Sequence, residues 1–168
     1  MRCIYLLPDV LNEAIQAFRT EHDPLAKLID PHVTLVFPFD SEISDTALIE
    51  HISSNVAGAL PISASLPENA VASDSHIYFP LDLGAQSVRE LHDRLYSSTL
   101  ESLLLPIPYI PHITIGRVSD GNPDNVVKMA NSMDLKQSDV FKMSKIIIER
   151  IGTQGESSVI REFRLGVD

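Results

Sequence analysis

At 168 residues the chain is long enough to bury one sizeable hydrophobic core, and 44% hydrophobic with 21% charged residues is the composition of an ordinary globular protein. No apolar run reaches the roughly 18 residues of a membrane span. The apolar part of "MRCIYLLPDVLNEAI" is too short for a secretory leader and has no small-residue cleavage site after it. A net charge of −10 argues against sequence-independent gripping of long nucleic acid. A single cysteine, Cys3, excludes an internal disulfide and reads as a buried thiol in a reducing, cytoplasmic setting.

The first element is a β-type run, "RCIYLLP" (2–8). In "DVLNEAIQAFRTEH" (9–22), Leu11, Ala14, Ile15 and Phe18 fall at i, i+3, i+4 and i+7, one face of an amphipathic helix, with Asp9 as candidate N-cap. "DPHVTLVFPF" (30–39) is a strand. A second helix starts near Asp45, with Leu48, Ile49, Ile52 and Val56 on one face. "LPISASL" (60–66) and "HIYFPLD" (76–82) read as strands separated by a turn-rich stretch. The longest helical pattern runs from Ala85 to Leu104, with Val88, Leu91, Leu95 and Leu100 among its apolar positions. His51 and His92 sit in helical patterns as surface or boundary residues.

Pro106, Pro108 and Pro111 stop that helix and force an extended approach to "IPHITIGRV" (110–118). "GNPDNVVKMANSM" (121–133) predicts a short helix with Pro at its start. "FKMSKIIIERIG" (141–152) and "SSVIREFRLG" (157–166) predict a closing pair of strands about "TQGE". The order β-α-β-α-β-β-α-β-α-β-β, with its late hairpins, speaks for an α+β unit rather than a purely parallel sheet. Charge is uneven along it. Residues 136–164 hold six basic side chains (Lys136, Lys142, Lys145, Arg150, Arg161, Arg164) against four acidic ones, a contributor to the field around a bound anion or simply a solvated strand surface.

The chemistry is concentrated in a repeat. "PHVTL" (31–35) and "PHITI" (111–115) have the same Pro-His-aliphatic-Thr-aliphatic order, in a chain with six histidines. Side chains at i and i+2 of a strand share a face. His32 and Thr34 therefore point one way, with Val33 and Leu35 behind them, and His112 and Thr114 repeat the arrangement over Ile113 and Ile115. If the polar faces meet, two imidazoles and two hydroxyls converge. Such a group suits phosphodiester chemistry. One neutral His takes a proton, the other, protonated, delivers one, and the Thr hydroxyls hydrogen-bond the non-bridging phosphate oxygens. A single His-x-Thr on a strand would carry little weight; two copies in one short chain carry much more.

These residues resemble the paired His-x-Thr motifs of the two-histidine (2H) phosphoesterase superfamily, which includes 2′-5′ RNA ligase-like proteins and cyclic nucleotide phosphodiesterases. The resemblance spans most of the chain, from the opening strand through "EHDPLAKLIDPHVTLVFPF" to the final "REFRLG". It implies one bilobal domain over 1–168. Two pseudo-symmetric lobes, mostly antiparallel in their sheets, would line a central groove, with helices outside. It also implies that His32 and His112 catalyse while Thr34 and Thr114 bind phosphate. The implied activity is that of a hydrolase of the phosphodiesterase type. It opens 2′,3′-cyclic phosphates, or cleaves and joins 2′-5′ linkages in RNA-derived substrates, with no metal and no other cofactor. A small nucleotide or an RNA end is the expected partner, with no DNA and no membrane, and the protein is expected to act as a monomer.

Arg117 divides evenly between an anion contact and a structural surface residue. An unbroken strand would put it on the Ile113 face, whereas a bulge at Gly116 would turn it round. Tyr78 and Phe79 face opposite ways, and either offers a base-stacking surface or a core aromatic. His76 begins a strand with no matching Thr at 78. Two other function classes stand as alternatives. One is a non-catalytic nucleotide or RNA-end binding module of the same fold. The other is a metal-dependent hydrolase resting on His22, Asp23, Asp30 and His32, a spacing that matches no familiar site.

Overall fold

"RCIYLLP" forms β1 (Arg2–Pro8), and the amphipathic run after it forms α1 (Glu13–His22). The computed structural model describes residues 1–118, 123–133, 135, 140–153 and 155–166. Over these the order continues β2 (Val33–Phe39), α2 (Asp45–Val56), β3 (Ile62–Ala64), β4 (Val71–Ser73), β5 (His76–Pro80) and α3 (Ala85–Leu95). A 3-10 turn at Ser98–Leu103 precedes β6 (His112–Arg117), α4 (Pro123–Asn131), β7 (Phe141–Ile151) and β8 (Ser157–Arg164). Gly121, Asn122, Gln154, Lys136 and Asp139 lie outside the described residues. Among the described residues no helix is long and apolar enough to cross a membrane.

Every strand pairing is antiparallel. One sheet runs β2-β1-β7, and the far side of β7 is shared end to end by β3, against Phe141–Met143, and β8, against Lys145–Ile151. The second sheet is β4-β5-β6. The result is the two-lobed α+β architecture with helices outside. The lobes are unequal, because both closing strands join the first sheet and leave the second with three strands. Strand periodicity divides β1 and β7 between two faces. Ile4, Leu6, Ile146 and Ile148 enter the main core, while Cys3, Tyr5 and Ile147 form a small cluster on the other face. The helices cross over between lobes: α1 lies against β6 and α3 against β2.

Four expectations are corrected. Asn12, not Asp9, caps α1, its side chain accepting from the Ala14 N–H at 2.9 Å, while Asp9 accepts from the Ser144 hydroxyl. The helix expected to reach Leu104 stops at Leu95, where "SST" (97–99) competes for the backbone. The Ser97 hydroxyl donates to the Arg94 carbonyl at 2.7 Å, and Ser98 takes a positive φ of 48°. The strand β4 has no sequence signal, because all three of its residues are exposed and nothing alternates; Asp74, at φ 52°, closes its hairpin. His92 is neither surface nor boundary: it is 2% exposed.

Candidate active site

The repeated proline, unexplained by the strand pattern, has a geometric role. Pro fixes its own φ and holds the residue before it extended. In both copies the His Nδ1 reaches back over the proline and donates to the carbonyl two residues upstream, His32 to Asp30 at 2.8 Å and His112 to Ile110 at 2.7 Å. A carbonyl only accepts, so Nδ1 carries the proton and the neutral ring leaves Nε2 as its base. The two motifs share one cleft of about 390 Å³, lined by His32, Thr34, His112, Thr114 and Arg117 among others. Five residues separated by up to 85 positions are thus brought together.

A second repeat lies behind the first. Tyr5 pairs with Thr34 across β1 and β2, and Tyr78 with Thr114 across β5 and β6. Each tyrosine ring packs against its histidine with centroids 4.5 Å apart, tilted by 40° for Tyr5–His32 and 47° for Tyr78–His112. The face of Tyr78 is therefore taken by His112, and Phe79 is in the core. The signal was present in the doubled Ile-Tyr of "CIYLLP" and "HIYFP". Burial against these rings penalises the imidazolium. It pushes His32 down to about 4, with the Arg19 guanidinium adding to the effect, and it lowers His112, with His76 contributing. Burial and the Glu149 carboxylate push the Cys3 thiol up to about 12, so Cys3 is no nucleophile at neutral pH.

Arg117 reaches the cleft because β6 is irregular. The register steps from Tyr78↔Thr114 to Ile77↔Gly116, so one extra residue sits on β6 and turns Arg117 away from the core face. The bulge is also where α1 comes closest: a Cβ on Gly116 would stand 3.3 Å from both the Cβ and the carbonyl oxygen of His22. Gly116→Ala is expected to destabilise the protein by about 1–3 kcal/mol in urea unfolding, by pressing α1 off β6. Wild-type stability in that variant would show that α1 gives way freely.

At 3.6 Å from the Arg117 Nε is Asp23, a residue the sequence offered only as a metal ligand. Asp23 accepts from Arg19 through Nε at 3.1 Å and Nη2 at 2.9 Å, and from the Leu25 N–H at 3.0 Å. The Arg19 Nη2 also donates to the Ile29 carbonyl at 3.0 Å. His22 packs instead on Phe18, with centroids 4.3 Å apart. Among the described residues, no group of three or more His, Cys, Asp or Glu side chains is placed to hold a metal ion.

The outer edge of β2 is held by three aromatic residues from the α3 side. The His92 Nδ1 donates to the Leu35 carbonyl at 2.7 Å, the Tyr109 hydroxyl to the Thr34 carbonyl at 2.6 Å, and the Tyr96 hydroxyl accepts from the Phe37 N–H at 3.1 Å. The His92 and Tyr109 rings stack 3.6 Å apart and nearly parallel. Backbone held from Thr34 to Phe37 fixes the strand that follows His32.

Two lobes, each presenting His-x-Thr to a shared cleft, define a 2H phosphoesterase. The chain belongs to the 2′-5′ RNA ligase superfamily, whose family model matches residues 7–150. It is 23% identical over 159 residues to a "Putative phosphoesterase" of Bacillus licheniformis, covering 93% of this chain and 92% of that one. Its fold is similar to that of E. coli LigT, solved in complex with 3′-AMP, at a TM-score of 0.67 and 15% identity over 99% of both chains. It is also similar to TT0787 of Thermus thermophilus, at 0.66 and 17% over 98% of both.

Proposed function

We propose that the protein is a metal-independent phosphodiesterase that opens 2′,3′-cyclic phosphates, or cleaves and joins 2′-5′ linkages, in small RNA-derived substrates. The reading is carried by one observation: two imidazoles, each tied through Nδ1 to its own backbone, face a single nucleotide-sized cleft. In ring opening, the His32 Nε2 takes a proton from water as its oxygen attacks phosphorus. The bond from phosphorus to one ribose oxygen breaks, and the His112 Nε2 gives that oxygen its proton. Water is added across one P–O bond, and a phosphate monoester is left. Thr34 and Thr114 hold the non-bridging oxygens as charge gathers there. The complex of E. coli LigT with 3′-AMP, a monoester of the kind such a reaction yields, is in keeping with this reading.

The signs of the histidine shifts fix the pH dependence. A lowered pKa disfavours the protonated form, so His32 stays a competent base down to about 4. His112 is a competent acid only below its own lowered pKa, itself under the ordinary value of about 6.5. The profile of kcat/KM is therefore a bell with its acid limb near 4 and its alkaline limb below about 6.5. Turnover of adenosine 2′,3′-cyclic phosphate and of a 2′-5′ dinucleotide, followed from pH 3.5 to 9 with and without EDTA, tests both claims. Loss of activity to EDTA, or a rate still rising above pH 8, would overturn the mechanism.

A further inference from the structure

The pseudo-symmetry that unites the centre of the cleft fails at its two ends, and it fails in charge. Two residues before Tyr5, on the same strand face, stands Cys3; two before Tyr78 stands His76. Three residues after Thr34 stands Phe37; three after Thr114 stands Arg117. All four line the cleft.

Cys3 and Phe37 share one end, since the Cys3 thiol donates to the Val36 carbonyl at 3.3 Å. Pro38 and Ile151 extend that end in apolar surface. Glu149, which pairs in register with Cys3, places a carboxylate there, 2% exposed and bonded to the Ser157 hydroxyl at 2.7 Å. His76 and Arg117 are register partners and share the other end with Arg19 and Asp23. Asp23 is shared between two guanidiniums, so the three groups carry one net positive charge, with the Asp74 carboxylate the further acidic group near His76. The buried Arg19 Nη1, moreover, has no partner among the described residues.

An anion is therefore repelled from one end and drawn to the other. In a nucleoside 2′,3′-cyclic phosphate the base at C1′ and the 5′ carbon at C4′ flank the C2′–C3′ edge that carries the cyclic phosphate, one at each end. We propose that the substrate is a nucleotide carrying a second phosphate, at its 5′ position. Arg117 and His76 hold that phosphate, and the base lies toward Phe37, Cys3 and Ile151. This rests on the phosphodiesterase reading of the same cleft. His76, which has no role in the proton transfers, thereby becomes a specificity residue: it donates an N–H to an oxygen that Arg117 also contacts.

Calorimetric titration tests this without relying on turnover. Adenosine 3′,5′-bisphosphate is expected to bind about tenfold or more tightly than adenosine 3′-monophosphate. That ratio should fall close to one in His76→Gln and in Arg117→Gln, each checked for an unchanged unfolding temperature. Equal affinities in the wild-type protein, or a ratio that survives both substitutions, would overturn the proposal. The affinity gap with no turnover of any cyclic nucleotide would sustain the anion site and overturn the phosphodiesterase reading. Turnover without the gap would do the reverse.

Discussion

Alanine at His32 or at His112 is expected to lower kcat on a 2′,3′-cyclic nucleotide by about 10²–10⁴-fold, the range for loss of one positioned proton-transfer group. KM is expected to change little, because the Thr hydroxyls still hold the phosphate oxygens. The double variant is expected to be far less impaired than the product of the two losses, since base and acid act in one concerted displacement. Stability is a useful control. Each imidazole donates to a carbonyl in a solvent-exposed bond, and water replaces that donor, so thermal unfolding shifts little. Initial rates under saturating substrate for the three variants settle the matter. If either single variant kept a third of its activity, that histidine would be no proton carrier, and the symmetric reading of the motif would fail.

The largest effect on stability is expected at Asp23→Ala. Arg19 and Asp23 are 2% and 6% exposed, and the two N–H groups that Arg19 donates to Asp23 Oδ2 hold the end of α1 to the chain that leads into β2. Removing the carboxylate strands a buried guanidinium with only the Ile29 carbonyl for company, and takes away the acceptor of the Leu25 N–H. Breaking a buried pair in this way costs about 3–5 kcal/mol. Against a total of roughly 5–15 kcal/mol, that removes much of the margin. At about 2–4 °C per kcal/mol for a chain of this size, the unfolding temperature falls by roughly 6–20 °C. Replacing both partners, as in Arg19→Met with Asp23→Leu, is expected to restore a good part of the loss, because no buried charge is left alone. A single-variant cost under about 1 kcal/mol would mean that water reaches the pair and that it is not the clamp described.

Much of the centre of the site was legible in the chain itself. Strand periodicity alone puts His32 with Thr34 and His112 with Thr114, and the duplication says that the two pairs work together. The element order, β4 excepted, and the late hairpins that speak against a purely parallel sheet followed from the same local patterns. What failed did so for identifiable reasons. Asp9 and Asn12 are both good caps, and only the register of β1 against β7, which draws the Asp9 N–H to the Lys142 carbonyl at 2.7 Å, leaves the helix to start after Asn12. The α3 pattern read on through "YSST" because Leu100 keeps the apolar period, while Tyr96 is recruited by the Phe37 N–H, a contact across 59 positions. His92 looked like a surface histidine because a helix does not announce which strand edge it will cover.

The duplicated "Pro-His-aliphatic-Thr-aliphatic" thus determined by sequence alone which four side chains share the polar faces that line the cleft, because a period of two residues is a local property of the backbone. The order of helical and strand patterns, with its late hairpins, indicated the α+β class as well. The ends of the cleft were decided only by tertiary structure. The bulge that turns Arg117 inward exists in the pairing of β5 with β6, and the sharing of Asp23 by Arg19 and Arg117 exists only where α1 crosses to the other lobe. The alignment of His76 with Cys3 about the pseudo-axis is likewise visible only once both sheets are built. Charge balance and desolvation depend on which distant groups meet, and no window along the chain contains both.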